Sequence, residues 1–178
     1  PYSVEELRNN YDFWINPDVH ARPFIMEWLL TDFFGQYTAE AKERFLVDLG
    51  YGRYELREEF NTQRKVADYF CSAEKSEKDE MLENALMGLI DDVLFIEDAD
   101  QKGKYHPRIS GQHTYSYRAL SEYEKWCYDR LYNDFFYRRH NEFWYGKAMW
   151  KLPPLLESTS MLTCAEDLGM IPDCVPAV

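Results

Sequence analysis

The chain has 178 residues, of which 46% are hydrophobic and 17% aromatic, which is enough for the packed core of one ordinary domain. Its formal net charge of -12 argues against nucleic acid or an anionic membrane surface as a partner, because phosphate groups bind clustered lysines and arginines that carboxylates do not outnumber. No apolar run long enough to span a bilayer and no signal-peptide pattern occurs, so we predict a cytoplasmic protein without a membrane segment.

The sequence near the N-terminus predicts two helices. Ser3 and Glu6 have the spacing of a capping box, in which each side chain accepts a hydrogen bond from a backbone N–H at a helix start. A second helix is expected after Pro23, with Trp28 and its apolar neighbours on one face, until Gly35 ends it.

A third helix is predicted over residues 38–49. Its apolar residues Ala41, Phe45 and Leu49 recur at steps of four, as on one face of an α-helix. Gly50 follows at the position where glycine commonly ends a helix.

The middle of the chain predicts two more helices and one strand. Residues 51–60 suit either a loop or a short extended segment, and helices are expected at about 61–72 and 76–89. Residues 93–96 are rich in strand-forming side chains and lie between acidic pairs, which indicates a brief strand. Residues 99–117 contain glycine and proline and are predicted to be mainly loop.

The longest helical pattern begins at Ser121. Apolar residues mark one of its faces at steps of three or four: Leu120, Tyr123, Cys127, Leu131 and Phe135. No glycine or proline interrupts the pattern before Gly146, and the prolines at 153–154 are expected to limit it. We therefore predict a mainly α fold with one or a few short strands.

A short apolar run near the C-terminus is followed directly by two acidic residues. Residues 161–165 are too few for a helix and suit a buried parallel strand. Glu166 and Asp167 come next, before a new helix start, which is the βα arrangement that places catalytic side chains at the rim of a barrel sheet. The alternative interpretation is that one of these acids caps the next helix or pairs with a basic neighbour.

The string at residues 164–172 closely resembles the signature of amylomaltase-type 4-α-glucanotransferases, which are (β/α)8-barrel enzymes. The strings at 131–139, 143–144 and 151–156 resemble the branch of that family that includes the plant cytosolic disproportionating enzyme, and residues 105–108 are similar to another stretch of it. That branch carries a long insertion before the signature strand. The likeness covers most of the chain and is weakest over its first residues.

The resemblance implies a retaining transfer of α-1,4-glucan units between malto-oligosaccharides or glucans. By motif, Glu166 corresponds to the general acid/base, and Asp167 to a supporting residue that holds the strand end. The family's nucleophilic aspartate lies in an Arg-Ile-Asp-His motif, and a further aspartate lies in a His-Asp motif. Neither string occurs here, so we expect the chain alone to be inactive.

The resemblance also implies a division of the chain. Residues 1–157 are predicted to be a helical insertion subdomain of the barrel, and residues 158–178 the signature strand with the start of the next helix. The chain starts at Pro1 without methionine and stops at Val178 just after a predicted helix start, so we expect an internal fragment of a larger enzyme.

Other side chains are weaker candidates for contact with a glucan. His106, Arg108, Arg138 and Arg139 are possible substrate-binding residues, because imidazole and guanidinium groups donate hydrogen bonds to sugar hydroxyls; the competing interpretation places them at loop and helix surfaces. The aromatic band over residues 115–150 suits either stacking on sugar rings or a core, and its helical spacing favours the core.

We predict no metal and no organic cofactor. The histidines are too far apart in sequence for a local metal motif: His20, His106, His113 and His140. The cysteines lack metal-type spacing and are interpreted as reduced, buried residues: Cys71, Cys127, Cys164 and Cys174.

The predicted partners are a malto-oligosaccharide or glucan substrate and the rest of the parent barrel. The rival hypothesis is a non-catalytic helical module that binds a glucan surface or a second subunit. The two hypotheses differ in whether the protein that contains this chain also carries the missing nucleophile.

Overall fold

A computed structural model describes residues 1–71, 74–162, 164 and 171–178. By contacts, the chain divides into two compact units, Pro1–Glu122 and Tyr123–Val178, and each is described by itself. Helices dominate both units and two small sheets accompany them, so the predicted mainly α class is confirmed. The division predicted at residues 157 and 158 falls within the second unit and stays a prediction.

The first unit contains seven helices and six strands among its described residues. The helices are α1 (Val4–Tyr11), α2 (Pro17–His20), α3 (Glu27–Phe34), α4 (Thr38–Phe45), α5 (Gln63–Tyr69), α6 (Glu77–Asp91) and α7 (Tyr115–Arg118). The strands are β1 (Tyr2–Ser3), β2 (Ile25–Met26), β3 (Leu46–Gly50), β4 (Arg53–Leu56), β5 (Phe95–Glu97) and β6 (Lys104–Pro107). Short 3₁₀ turns occupy Gly35–Tyr37, Glu58–Phe60 and Gly111–His113.

The strands form two antiparallel sheets of three strands each. In one sheet the order is β1-β6-β5, with Tyr2 opposite Tyr105 and Ile96 opposite His106. In the other the order is β2-β4-β3. The strand predicted at residues 93–96 is thus present as β5, shifted toward the C-terminus.

Side-chain caps begin several helices, and the capping box predicted at Ser3 and Glu6 is among them. Ser3 and Glu6 form the capping box of α1, with Ser3 Oγ accepting the Glu6 N–H at 3.1 Å. Thr62 caps α5 and Ser76 caps α6. Such caps satisfy donors that the helix itself leaves unpaired, which explains why these boundaries are readable from sequence.

The predicted helix over residues 38–49 is wrong beyond Phe45. Helix α4 ends there, and β3 follows and pairs with β4 as a hairpin. The turn between the strands has positive φ at Gly50, Tyr51 and Gly52, so the chain reverses instead of continuing the helix. Gly50 therefore serves a hairpin turn, and Leu49 lies exposed on a strand.

Two further boundaries differ from the sequence prediction. The second helix starts at Glu27, because residues 25–26 pair with β4 as strand β2. The segment 99–117, predicted to be mainly loop, contains β6 and α7. Strand β6 forms through pairing with β1 and β5, which are distant in sequence, and no local pattern signals such pairing.

The carboxylate of Asp92 fixes the position of α7. It accepts hydrogen bonds from the backbone N–H of Tyr115 at 2.7 Å and of Ser116 at 2.8 Å, and the Ser116 hydroxyl also donates to it at 2.7 Å. Thr114 adds the side-chain cap of the same helix. A carboxylate at a helix start satisfies free N–H groups and complements the helix dipole.

The core of the first unit lies between α3, α4, α5 and α6. Helix α6 packs against α3 and α5 through the apolar residues of one face. The fully or nearly fully buried residues of this core include Ile25, Leu30, Phe34, Phe45, Val66, Leu82, Leu86 and Leu89. Burial of this size explains why a segment rich in charged residues still folds.

The second unit begins within α8 (Glu122–Asn133), which continues through a π-helical turn, Asp134–Arg138, toward α9 (Asn141–Glu157). The predicted limit at residues 153–154 is wrong, because α9 continues through both prolines and ends at Glu157. Proline carries no N–H, so the carbonyls of Met149 and Trp150 lack their regular helical donors. No helix in the described ranges is long and apolar enough to cross a membrane.

We predict that Leu86→Ala lowers the free energy of unfolding by about 2–5 kcal/mol, because it leaves a cavity in the closed core of the first unit. Leu49→Ala is the matched control, since the Leu49 side chain is 45% exposed, and its effect should stay within about 1 kcal/mol. Urea unfolding followed by circular dichroism measures both. Equal losses in the two variants would contradict the assigned core.

Candidate functional site

Glu166 and Asp167, the predicted acid/base and its supporting residue, lie outside the described residues. The same holds for Thr163 and Ala165 of the predicted strand at 161–165, whereas its other residues, Met161, Leu162 and Cys164, are exposed and in no helix or strand. The roles of both acids stay predictions from the signature.

His106, a possible substrate contact, is engaged with a carboxylate. Its Nε2 lies 2.7 Å from Oδ2 of Asp98, whose Oδ1 also accepts the backbone N–H groups of Asp100 at 3.0 Å and Gln101 at 2.7 Å. The hydrogen bond from His106 is the largest cause that lowers the pKa of Asp98 below its usual value. This cluster closes the turn between β5 and β6, so a structural role accounts for it.

Arg108, another possible substrate contact, also has partners within the protein. Its guanidinium pairs with the carboxylate of Asp91 at the end of α6 and donates to the carbonyl of Ile109 at 2.9 Å. Its backbone N–H donates to Leu94 at 2.8 Å. Arg108 therefore ties the segment after β6 to the end of α6, and contact with a glucan stays a prediction.

Arg138 and Arg139, the other predicted contacts, lie on the second unit at the π-helical turn. Both are exposed, and the guanidinium of Arg139 lies 6.0 Å from the ring centre of Phe135. The backbone N–H of Arg139 donates to the carbonyl of Asp134 at 2.7 Å. These two arginines and the pair His106 and Arg108 belong to different units.

A charged cluster that the sequence analysis missed joins α3, α4 and β4. Lys42 forms an ion pair with Glu27, and its ammonium lies 5.3 Å from the ring centre of Tyr54. The hydrogen bond from Lys42 lowers the pKa of Glu27, and Glu27 raises the pKa of Tyr54. Perturbed pKa values can indicate function, but mutual pairing on the surface explains these.

An open groove of about 740 Å³ lies beside β4 in the first unit. Its polar lining consists of Asp18, Arg22, Arg53, Glu55 and Asn61. Asp18 and Arg22 pair at 3.2 Å, and the guanidinium of Arg53 lies 5.2 Å from the ring centre of Phe24. The groove contains mixed charge without a convergent set of catalytic groups.

The aromatic band divides between core and surface. Tyr128 and Tyr132 on α8 are buried, as the core interpretation predicts. That interpretation is wrong for Phe143, Trp144 and Trp150 on α9, which are more than half exposed. Three exposed rings on one helix form a candidate contact surface.

In the described ranges, no group of three or more His, Cys, Asp or Glu residues is arranged to hold a metal ion. Cys127 is buried as predicted, but Cys71 and Cys164 are exposed and Cys174 is half-buried, so the predicted burial of all four cysteines is wrong. Position within the apolar face of α8 distinguishes Cys127 from the other three.

We predict that Asp98→Asn destabilises the protein near neutral pH and that its deficit relative to the parent chain shrinks in acid. The folded pKa of Asp98 lies below its usual value of 3.8, so the charged group stabilises the native state above that pH. This stabilisation is lost as the pH falls from 3.8 through the folded pKa. Thermal unfolding across this range measures the deficit.

Asp100→Asn is the control for that experiment, because the structure uses the backbone N–H of Asp100 in the same turn. It should leave the unfolding temperature nearly unchanged at every pH. A deficit in Asp98→Asn that is constant down to strongly acidic pH would contradict the assigned hydrogen bond.

Comparison with known proteins finds a relative that aligns with nearly the whole chain. The chain is 35% identical over 182 aligned residues to the 4-alpha-glucanotransferase DPE2 of Oryza sativa subsp. japonica. The alignment includes 99% of the chain but spans only 19% of the length of that relative. No protein-family model matches the chain, and no solved structure is detectably similar to it. The resemblance seen in the sequence is thus confirmed: over nearly its whole length the chain is homologous to a portion of a 4-alpha-glucanotransferase.

Proposed function

We propose that the chain is an internal portion of a 4-α-glucanotransferase that transfers α-1,4-glucan segments between malto-oligosaccharides or glucans. The observation that carries this proposal is the 35% identity to a 4-alpha-glucanotransferase along 99% of the chain. The signature string at residues 164–172 also supports it.

Glu166 is the proposed general acid/base of a double displacement. In the first step an aspartate outside this chain attacks the anomeric carbon while Glu166 gives its proton to the departing glycosidic oxygen. In the second step Glu166 removes the proton from an acceptor hydroxyl, which displaces the aspartate and restores the α-linkage. Asp167 is proposed to hold the position of Glu166.

Because the nucleophilic aspartate lies outside this chain, we expect the isolated chain to be inactive. Retaining transfer needs two carboxyl groups about 5 Å apart, one charged and one protonated. The sequence contains neither of the family's motifs for the other aspartates, so only one of the pair is present.

The rest of a (β/α)8 barrel is the proposed structural partner. On α9, Tyr145, Met149, Leu152 and Leu156 lie on one side and remain roughly half exposed. An apolar strip of this extent is rarely left in water. We propose that the remainder of the barrel covers it, with residues 1–157 as the helical insertion and residues 158–178 as the barrel strand. The cytoplasm is the proposed compartment, in keeping with the resemblance of residues 131–139 and 151–156 to the branch that includes the plant cytosolic disproportionating enzyme.

A second candidate is a non-catalytic helical module that binds a glucan or a second subunit. The observation that favours it is the aromatic surface of α9, on which Phe143, Trp144 and Trp150 are more than half exposed. In that case the chain would contribute binding, and the enzyme activity would belong entirely to other parts of the protein.

The test compares the full-length protein containing this chain with its Glu166→Gln variant, using maltotriose and analysis of chain-length redistribution. We predict that kcat/KM falls by a factor of about 10² to 10⁴ in the variant, which cannot donate the proton. Asp167→Asn, the matched control, should lose less. The isolated chain should redistribute nothing. Unchanged activity in Glu166→Gln would contradict the proposal.

A further inference from the structure

One face of α9 exposes two aromatic rings with a lysine between them. Phe143, Lys147 and Trp150 follow one another at helical spacing and therefore lie on the same side of the helix. Phe143 is 64% exposed and Trp150 is 68% exposed. The Lys147 ammonium lies 5.5 Å from the ring centre of Phe143 and 5.7 Å from that of Trp150.

A notch of about 270 Å³ opens between these rings and is lined by Glu142, Phe143, Gly146, Lys147 and Trp150. We call it the α9 notch. A second groove of about 450 Å³ also contacts Phe143, Lys147 and Trp150 but extends to Lys151 and Leu152, so it lies on the other side of this row of residues.

Gly146 forms the floor of the α9 notch. A Cβ built at this position meets no atom within 4 Å, so the notch is open where a side chain would otherwise project. Glycine within a helix costs about 1 kcal/mol relative to alanine, and no close backbone approach or positive φ accounts for it here. Because Gly146 has no side chain, a ligand can enter the space between the two rings.

The polar rim of the α9 notch has one carboxylate, on Glu142, and one ammonium, on Lys147. Opposite formal charges leave the rim without net charge, which suits a neutral ligand and opposes an anionic one such as a nucleic acid or phospholipid. The carboxylate accepts hydrogen bonds and the ammonium donates them, so a ligand rich in hydroxyl groups can use both.

We propose that the α9 notch binds α-1,4-glucan chains. The apolar C–H face of a glucosyl ring packs on an aromatic ring, while its edge hydroxyls reach Glu142 and Lys147. Phe143 and Trp150 are seven residues apart, about 10 Å along the helix axis, which is longer than one glucosyl unit and therefore selects a chain. The identity of the sugar rests on the proposed function.

The main competing occupants are another protein surface and a second copy of this chain. The apolar strip already proposed to meet the barrel, which includes Leu152 and Leu156, lies toward the opposite side of α9 from the notch. A protein interface core is depleted in charged residues, whereas charged groups flank both rings here. The neutral rim and hydroxyl-matching groups favour the glucan.

The experiment is affinity electrophoresis of the 178-residue chain in native gels that contain glycogen, with dextran gels as the control for linkage. We expect retardation by glycogen alone. Trp150→Ala should weaken the apparent affinity by at least about tenfold, since it removes one stacking ring. Gly146→Leu should do the same by filling the notch, and it should not destabilise the helix, because its Cβ meets no atom within 4 Å and leucine favours a helix more than glycine does.

Trp126→Ala is the matched control, because Trp126 is also exposed, at 53%, but lies on α8 and stacks on Tyr123. It should bind as the parent chain does. Absence of retardation by glycogen, or equal retardation of the parent, Trp150→Ala and Gly146→Leu chains, would overturn the proposal. A dimer that forms without glucan and is lost in both notch variants would also overturn it, by showing a second copy in the notch.

Failure of this site and failure of the proposed function give different results. If the full-length protein redistributes maltotriose but its Gly146→Leu variant keeps the same KM for glycogen, and the chain shows no retardation, the site is absent and the function stands. If the chain binds glycogen through the notch while the full-length protein transfers no glucan, the site stands and the proposed activity is wrong.

Discussion

Burial of one apolar face of α6 against α3 and α5 is the interaction on which the first unit depends. Leu82, Leu86 and Leu89 lie on this face and are almost completely removed from water. The close approach has a steric requirement, because a Cβ at Gly88 would lie 2.9 Å from the ring of Phe33. At the C-terminal end of α6, Asp91 and Asp92 hold the later segments through Arg108 and the start of α7.

The features that could be predicted from the sequence are those with local causes. A capping side chain accepts a hydrogen bond from a backbone N–H a few residues away, so the starts of α1 and α6 can be predicted from the local sequence. Residues 46–49 were predicted to be helical because Leu49 follows Phe45 at a helical step of four. They form strand β3 instead, because they pair with β4. The prolines in α9 did not stop the helix, which ends at Glu157, where the backbone N–H of Ser158 donates to the carbonyls of Pro154 and Leu155.

The candidate site was predictable only in part. The signature around Glu166 predicts acid/base chemistry, but it does not show which groups lie near this residue. Glu166 itself is outside the described residues. The hydrogen bond of His106 with Asp98 closes a turn, which no local pattern signals, and contact of His106 with a sugar stays a prediction. The α9 notch had one readable signal, a glycine within a helix between two aromatic residues, and exposure of the rings distinguishes it from core.

The central claim is that Glu166 acts as the acid/base of a retaining transfer. The most direct measurement uses the full-length protein with Glu166→Ala, α-maltosyl fluoride as donor and azide as nucleophile. Fluoride leaves without protonation and azide attacks without a base, so the variant should form maltosyl azide of retained α configuration while transfer to sugars is nearly lost. A β-configured azide, or sugar transfer as fast as in the parent protein, would contradict the account.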